Sequence, residues 1–371
     1  MRQKGAVDVH RNPTGKSPVS RRRVLGAAAA GTALTALGRA PSAQARPAPA
    51  DRHDDLIRKP VPGSGELLSA IGLGTFMTFD TAPGARRAHL REVLRLYHEN
   101  GGRVVDTSPL YGAAEDNVGH FASSLRIKED LFVTNKVWTT GDYLWDDSLA
   151  ARSLRNSVAR LSDDGRIELI QCHNLVNVDC HVPLFHAWKK EGRIRYLGVT
   201  HHDLSYYDAL AHWVEVGDLD FVQVRYTMAT RLAEERILPA AADRGVAVLV
   251  CMPLEKGRLH QIVHGLPVPG FAQRIGITSW AEYFLKWTIS HPAVTCALPA
   301  TTNPAHLLEN VAAMRGTLPD PDLRERMYAH VKNLPGFDRI ERMPWYPGKR
   351  FDGLVSRAQA EMRRRSPWWP S

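Results

Sequence analysis

The sequence predicts an α/β chain folded as a single (β/α)8 TIM barrel, with an N-terminal β-hairpin and a C-terminal extension. Three observations carry this. Eight short apolar runs alternate with amphipathic stretches of helical period over roughly 250 residues, the length such a barrel needs. No G-x-G-x-x-G follows an early run, so the rival doubly wound sheet loses its main support. The chain has 371 residues and is 44% hydrophobic, enough for one large core and too much for wholesale disorder.

The hairpin comes first, with extended residues 56–60, a turn at Gly63-Ser64-Gly65 and a return over 67–73. Barrel strands are predicted at 71–73, 103–106, 131–137, 167–173, 194–200, 220–226, 246–250 and 295–299. Between them, Leu90, Val93, Leu94 and Tyr97 fall at helical spacing within 88–100, and Gly101-Gly102 ends that helix as a C-cap would. Further helices are expected at 149–161, 184–191, 204–216, 234–244, 280–291 and 304–315. The long segment 251–279 is expected to form a loop over the barrel mouth.

The formal net charge of +9 suggests a nucleic-acid partner until it is divided by position. Residues 1–45 hold eight basic side chains and one acid, and 339–371 hold eight and three, which leaves the body near −3. A body without a basic excess argues against nucleic acid. The leader reads as an export signal with three ordered parts. Ser20-Arg21-Arg22-Arg23-Val24-Leu25 matches the twin-arginine pattern, a weakly apolar stretch follows over 24–38, and Ala43-Gln44-Ala45 is a small-x-small cleavage site. The chain therefore divides into a twin-arginine signal (1–45), a barrel (46–335) and a basic, Trp-containing tail (336–371). Cleavage near Ala45 would place the barrel in the periplasm or outside the cell. No run reaches the roughly 20 apolar residues of a membrane-spanning helix. Four cysteines without zinc spacing read as buried thiols. Adjacent His201 and His202 on a strand point to opposite faces, so no metal site is expected.

In such a barrel, chemistry gathers at the C-terminal ends of the strands. The second strand ends at Asp106, and its loop presents Tyr111. The third delivers Lys136, the fourth His173, and the sixth Gln223 and Tyr226. Each has an ordinary reading alone: a helix cap, a buried phenol, a solvated lysine, a structural histidine. Together they suit reduction of a carbonyl, whose oxygen gains charge and needs a proton. A phenol with a pKa of about 10 is a poor acid at neutral pH until an adjacent ammonium stabilises its phenolate. Lys136 would supply the ammonium, Asp106 would hold Lys136, and His173 would orient the carbonyl.

The sequence resembles the aldo-keto reductases from about residue 58 to 327. The motifs are Ile71-Gly-Leu-Gly-Thr75, Gly101-Gly-Arg-Val-Val-Asp-Thr-Ser-Pro-Leu-Tyr-Gly112, Lys190-Glu-Gly-Arg-Ile-Arg-Tyr-Leu-Gly-Val199, and Leu298-Pro299 followed by Glu309-Asn310. The resemblance implies a nicotinamide nucleotide at the barrel mouth and a catalytic tetrad of Asp106, Tyr111, Lys136 and His173. It places Thr75, Asp106, Pro253, Leu254 and Gln223 against the nucleotide, with Gln223 on the carboxamide. It puts Phe76 and Trp138, with Tyr111 and His173, around the substrate.

This chain also departs from the family's pattern. Thr200-His201 replaces the usual Ser-Asn, and Cys251 stands where an aromatic ring commonly stacks on the nicotinamide. Ala300 and His306 stand where many NADPH-using members carry a Lys and an Arg. Glu309 and Asn310 remain as adenine contacts, and Thr301, Thr302 and His306 offer neutral donors to a phosphate. NADP(H) is therefore expected in preference to NAD(H). Nicotinamide nucleotides are scarce outside cells, so an exported reductase is expected to hold its cofactor tightly or to recycle it. The substrate would be a small carbonyl compound or the corresponding alcohol, and the export machinery a partner. The rival reading is a nucleotide-binding sensor barrel without turnover. The tail, with Arg363-Arg-Arg-Ser-Pro-Trp-Trp-Pro370, suggests either contact with an anionic surface or a loose strand on the barrel base.

Overall fold

Period-2 alternation decides which strand residues face inward, and the observed barrel follows it. In the computed structural model, residues 55–344 and 353–365 are described. They lie within one unit, Ala50–Ser371. The expected export signal lies outside the described residues, as do Trp368 and Trp369.

Strands β1 (Arg58–Pro60) and β2 (Leu67–Ser69) form the antiparallel hairpin. Eight parallel strands follow: β3 (Leu73–Gly74), β4 (Val104–Asp106), β5 (Phe132–Val137), β6 (Ile167–His173), β7 (Ile194–His201), β8 (Phe221–Arg225), β9 (Ala247–Cys251) and β10 (Val294–Leu298). They pair in sequence order. Backbone bonds from Gly72 N to Ala297 O (2.8 Å), Ala297 N to Ala70 O (2.9 Å) and Gly74 N to Pro299 O (2.9 Å) bring the first strand back against the last. Gly72 is needed at this seam: a Cβ there would stand 2.6 Å from Leu298 Cδ2.

The helices between β3 and β8 are α1 (Ala88–Glu99), α2 (Ala114–Leu125), α3 (Ser148–Leu161), α4 (Val178–Lys190) and α5 (Tyr207–Val216). After β8 come α6 (Ile237–Arg244), α7 (Arg258–Ile262), α8 (Gly270–Gln273), α9 (Trp280–Ile289), α10 (Pro304–Ala312), α11 (Pro321–Lys332) and α12 (Leu354–Arg365). Helix α1 buries Leu90, Val93, Leu94 and Tyr97, each contributing about 1.5–3 kcal/mol. The Tyr97 hydroxyl donates to Val104 O at 2.8 Å.

Five elements differ from the sequence expectations, among them α11, which is not expected at all. Helix α2 is not foreseen, because Glu115, Asn117 and Gly119 are buried among its apolar residues Ala114, Val118, Phe121 and Ala122 and break up the pattern. A Cβ at Gly119 would collide with the carbonyl oxygen of Arg160, so close packing on α3 substitutes for hydrophobic bulk. Helix α4 begins six residues before the expected 184, since Pro183 lies inside it instead of starting it. The segment 251–279 carries two short helices, α7 and α8, and is no plain loop. Part of the expected tail belongs to the body: Ile340 is buried in the main core. Residues Leu354–Arg365 form α12, whose Val355 reaches the barrel mouth and not the base.

Inside the barrel, Val104, Phe132, Leu169, Tyr196, Phe221, Leu249 and Cys296 pack with Val61 and Leu68 of the hairpin into one apolar cluster. This plugs the base. One or two strand pleats higher, the same inward rows carry polar groups.

Candidate active site

Two residues beyond an inward base residue lies another inward residue, so several strands lift a polar group above the plug. On β5 the row runs Phe132, Thr134, Lys136; on β6, Leu169, Gln171, His173; on β8, Phe221, Gln223, Arg225. All nine are buried.

Lys136 is 2% exposed, and Nζ donates to Asp106 Oδ1 at 2.5 Å and to Thr107 O at 2.9 Å. Asp106, at the end of β4, also accepts from Thr134 Oγ1 at 3.2 Å. Thr75 Oγ1 donates to Asp106 O at 2.8 Å, which joins β3 to the group. A buried ammonium is tolerable because a carboxylate and a carbonyl surround it. Lys136 Nζ lies 5.1 Å from the Tyr111 ring centroid. The Tyr111 ring sits between Phe76 at 5.0 Å and His173 at 5.8 Å, both edge-on.

Burial holds the His173 imidazole neutral well below its ordinary pKa of 6.5, and the nearby Lys136 charge adds to this. Ser108 Oγ accepts from Leu110 N at 3.2 Å and stands 3.2 Å from His173 Nδ1. Its own hydrogen can be given to Nδ1, and in that tautomer the ring proton sits on Nε2 as a hydrogen-bond donor. Burial raises the Cys251 thiol to about 12, helped by Asp106, so this cysteine is no nucleophile at neutral pH.

One cavity of about 860 Å³ connects the tetrad to the far wall. Thr75, Phe76, Thr200, Gln223, Cys251, Pro253, Leu254, Ala300, Thr301, Thr302, His306, Glu309 and Asn310 all line it with Asp106, Tyr111, Lys136 and His173. Gln223 tests the fit of a nicotinamide nucleotide. It is 1% exposed, and its Nε2 has no hydrogen-bond partner among the described residues. A buried amide donor on a cavity wall suits a carboxamide oxygen. At the far wall, Thr301, Thr302, His306, Glu309 and Asn310 would hold the adenosine end, α10 being capped by Asn303 Oδ1 on Ala305 N at 2.9 Å.

Two expected residues lie elsewhere. His201 is buried off the cavity wall, with Nδ1 accepting from Asp203 N at 3.1 Å and its ring stacked 4.0 Å from Tyr206. Strand alternation explains this, since Thr200 faces inward and His201 outward; His202 lines the cavity instead. Trp138 follows β5, is 42% exposed and does not reach the wall. Tyr226 faces outward too, against Trp287 at 5.4 Å.

Sequence reasoning missed Lys256. It lines the cavity, and burial lowers its pKa to about 7. Its loop is held in left-handed geometry at Met252, Glu255 and Lys256 (φ 53°, 50° and 53°). The anchor is Glu255, fully buried, which accepts from Arg225 Nε (3.0 Å) and Nη2 (2.7 Å), Thr227 Oγ1 (2.9 Å) and Thr230 Oγ1 (3.0 Å). Such a network offsets the cost of three left-handed residues. Nothing in apolar periodicity signals it.

A phenol beside a pinned ammonium, sharing its cavity with an orphaned amide donor at the open end of a parallel barrel, defines a class: nicotinamide-dependent carbonyl oxidoreductases. A model of the Aldo/keto reductase family matches residues 70–326, more than half of the chain, and the chain belongs to that family. It is 27% identical over 273 residues to the NADH-specific methylglyoxal reductase of Escherichia coli (strain K12), across 61% of this chain and 82% of that protein. An uncharacterized oxidoreductase of Bacillus subtilis (strain 168) is 26% identical over 282 residues, across 73% of this chain and 92% of the relative. The structure of an aldo/keto reductase from Klebsiella pneumoniae with NADP and acetate aligns at TM-score 0.58 and 25% identity, over 81% of this chain and 98% of that one. The holo form of a Bacillus halodurans aldo-keto reductase aligns at TM-score 0.59 and 20% identity, over 74% and 96%, a likeness of fold.

Proposed function

We propose that this protein interconverts a small carbonyl compound and its alcohol, with Tyr111 exchanging the proton at the substrate oxygen. The carrying observation is the 5.1 Å approach of Lys136 Nζ to the Tyr111 ring, with that ammonium held by Asp106 at 2.5 Å. Lys136 stabilises the phenolate that remains when Tyr111 gives up its proton. His173, neutral and protonated at Nε2, donates to the substrate oxygen as charge develops there. A bound nicotinamide nucleotide supplies or accepts the hydride. Replacing Tyr111 with Phe and assaying a panel of aldehydes tests this reading. Equal rates in variant and parent would remove Tyr111 from the proton-transfer role.

NADP(H) is proposed as the preferred nucleotide. Thr301, Thr302 and His306 line the far wall with neutral donors for a phosphate. The Klebsiella relative was solved with NADP, whereas the Escherichia coli relative is named NADH-specific. Fluorescence titration with NADPH and NADH, repeated on Thr302→Ala, separates the two. Loss of NADPH affinity with NADH affinity unchanged is expected.

Export through residues 1–45 is proposed as well, on the Ser20-Arg21-Arg22-Arg23 motif and the Ala43-Gln44-Ala45 site. The twin-arginine route carries folded proteins, so the nucleotide would travel inside the barrel. Denaturing the exported protein and finding no nicotinamide nucleotide released would count against that passage.

A further inference from the structure

The family match ends at residue 326, so α12 lies outside it. This helix nevertheless reaches the mouth, where Val355 lines the same cavity as Tyr111 and His173. One carboxylate holds it there. Asp80, 3% exposed, accepts from Val355 N through Oδ2 at 2.6 Å and from Ala113 N through Oδ1 at 2.9 Å. Ala113 lies two residues after Tyr111 and immediately before α2. Each oxygen therefore serves the start of one helix, where backbone N–H groups lack partners and negative charge is favoured.

The carboxylate is itself held. Asn117, fully buried, donates from Nδ2 to Phe79 O and to Thr81 O at 2.7 Å each, gripping the backbone on both sides of Asp80. Its Oδ1 accepts from Arg87 Nη1 at 2.5 Å. Glycines admit the two close approaches: a Cβ at Gly353 would collide with the Asp80 backbone oxygen, and one at Gly112 with its carboxylate. A buried carboxylate bridging two backbone amides, gripped from behind and approached through two glycines, is a fixed joint.

We propose that Asp80 is a positioning residue that fixes α12 as a wall of the substrate end of the cavity and joins that wall to the Tyr111 loop. The kinetic part rests on the carbonyl-reduction reading; the structural part does not. The joint predicts that substrate bulk is sensed through Val355 and Leu110, two apolar groups on the cavity wall.

The test uses full-length Gly353→Ala and Asp80→Ala. Three readouts are taken: hydrogen exchange of the Val355 amide, NADPH affinity by fluorescence, and kcat and KM for short and bulky aldehydes. Exchange should be slow in the parent and about tenfold faster or more in both variants. In Gly353→Ala the KM for the bulky aldehyde should change about tenfold, while kcat and NADPH affinity stay within about twofold. Asp80→Ala should also lower kcat, because the Tyr111 loop loses its anchor. Fast exchange in the parent, or faster exchange in Gly353→Ala with every KM unchanged, would overturn the proposal. Failure of the parent to bind nucleotide would strike the oxidoreductase reading instead, and the exchange measurement would still decide the joint.

Discussion

The lower and upper halves of the barrel interior are built from the same strand rows and put to opposite uses. Below, Phe132 lies 6.0 Å from Tyr196 and 5.9 Å from Phe221, and the hairpin closes the base with Val61 and Leu68. Above, those rows continue through Lys136, Gln171, Gln223 and their neighbours, held by hydrogen bonds, with Gln223 Nε2 unpaired among the described residues. Burial stabilises the base directly. At the mouth, the same burial costs free energy that only specific partners, or a bound nucleotide, offset. Stability and chemistry are separated by two to four strand residues, about 7–13 Å.

Mutations that act on one half only are the sharpest way to break this separation. Lys136→Met should have the largest effect, because it strikes both properties. It leaves Asp106 as a buried uncompensated charge, destabilising by about 3–5 kcal/mol, and removes the cation beside Tyr111. Urea unfolding with parallel assays checks it, and an unchanged midpoint would deny the ion pair any structural weight. Tyr111→Phe should lower activity by about 10²–10⁴-fold, with a stability change under about 1 kcal/mol.

Phe132→Ala reverses that profile. A loss of about 3–5 kcal/mol is expected from the cavity left at the base, with activity per folded molecule within about twofold of the parent. If activity fell with stability, the halves would be mechanically coupled. Gln223→Leu should weaken nucleotide binding about tenfold, near 1.4 kcal/mol. Deleting the orphaned amide should leave the empty protein no less stable. A calorimetric Tm below the parent's would show that Gln223 is satisfied without the nucleotide.

A further effect is one of pH. Burial lowers His291, near the base, from its ordinary 6.5 to about 4. Between these values the unfolded chain binds a proton that the folded chain refuses. Stability is therefore full above pH 6.5 and declines as pH falls toward 4. His291→Asn should flatten this decline by at most about 1.4 kcal/mol per pH unit, read from unfolding midpoints at a series of pH values. His173, neutral for the same reason, adds a slope of the same sign at the mouth.

Most of the barrel was legible because periodicity reports burial directly. β6 was read to the residue and the other barrel strands to within about two. That Asp106, Tyr111, Lys136 and His173 share one cavity was legible because each lies at or next to a strand end or in the loop after it. Helix α2 escaped because buried Glu115, Asn117 and Gly119 break up the pattern of its apolar residues Ala114, Val118, Phe121 and Ala122. Trp138 and His201 were misplaced because a motif fixes sequence position, while alternation and loop path decide which way a side chain points. Lys256 and the Asp80 joint leave no periodic trace, as both depend on groups far apart in the chain: Glu255 on Arg225, and Asp80 on Val355.

By itself, then, the sequence determined the strand order, the apolar plug and the residues at the strand ends, since these follow from local alternation and from neighbours in the chain. Tertiary structure alone decided which other residues share that cavity, which histidine faces it, and that α12 reaches the mouth. Those outcomes turn on a few buried polar contacts between distant segments. Each is worth a few kcal/mol at most, and each is set by geometry that no local pattern encodes.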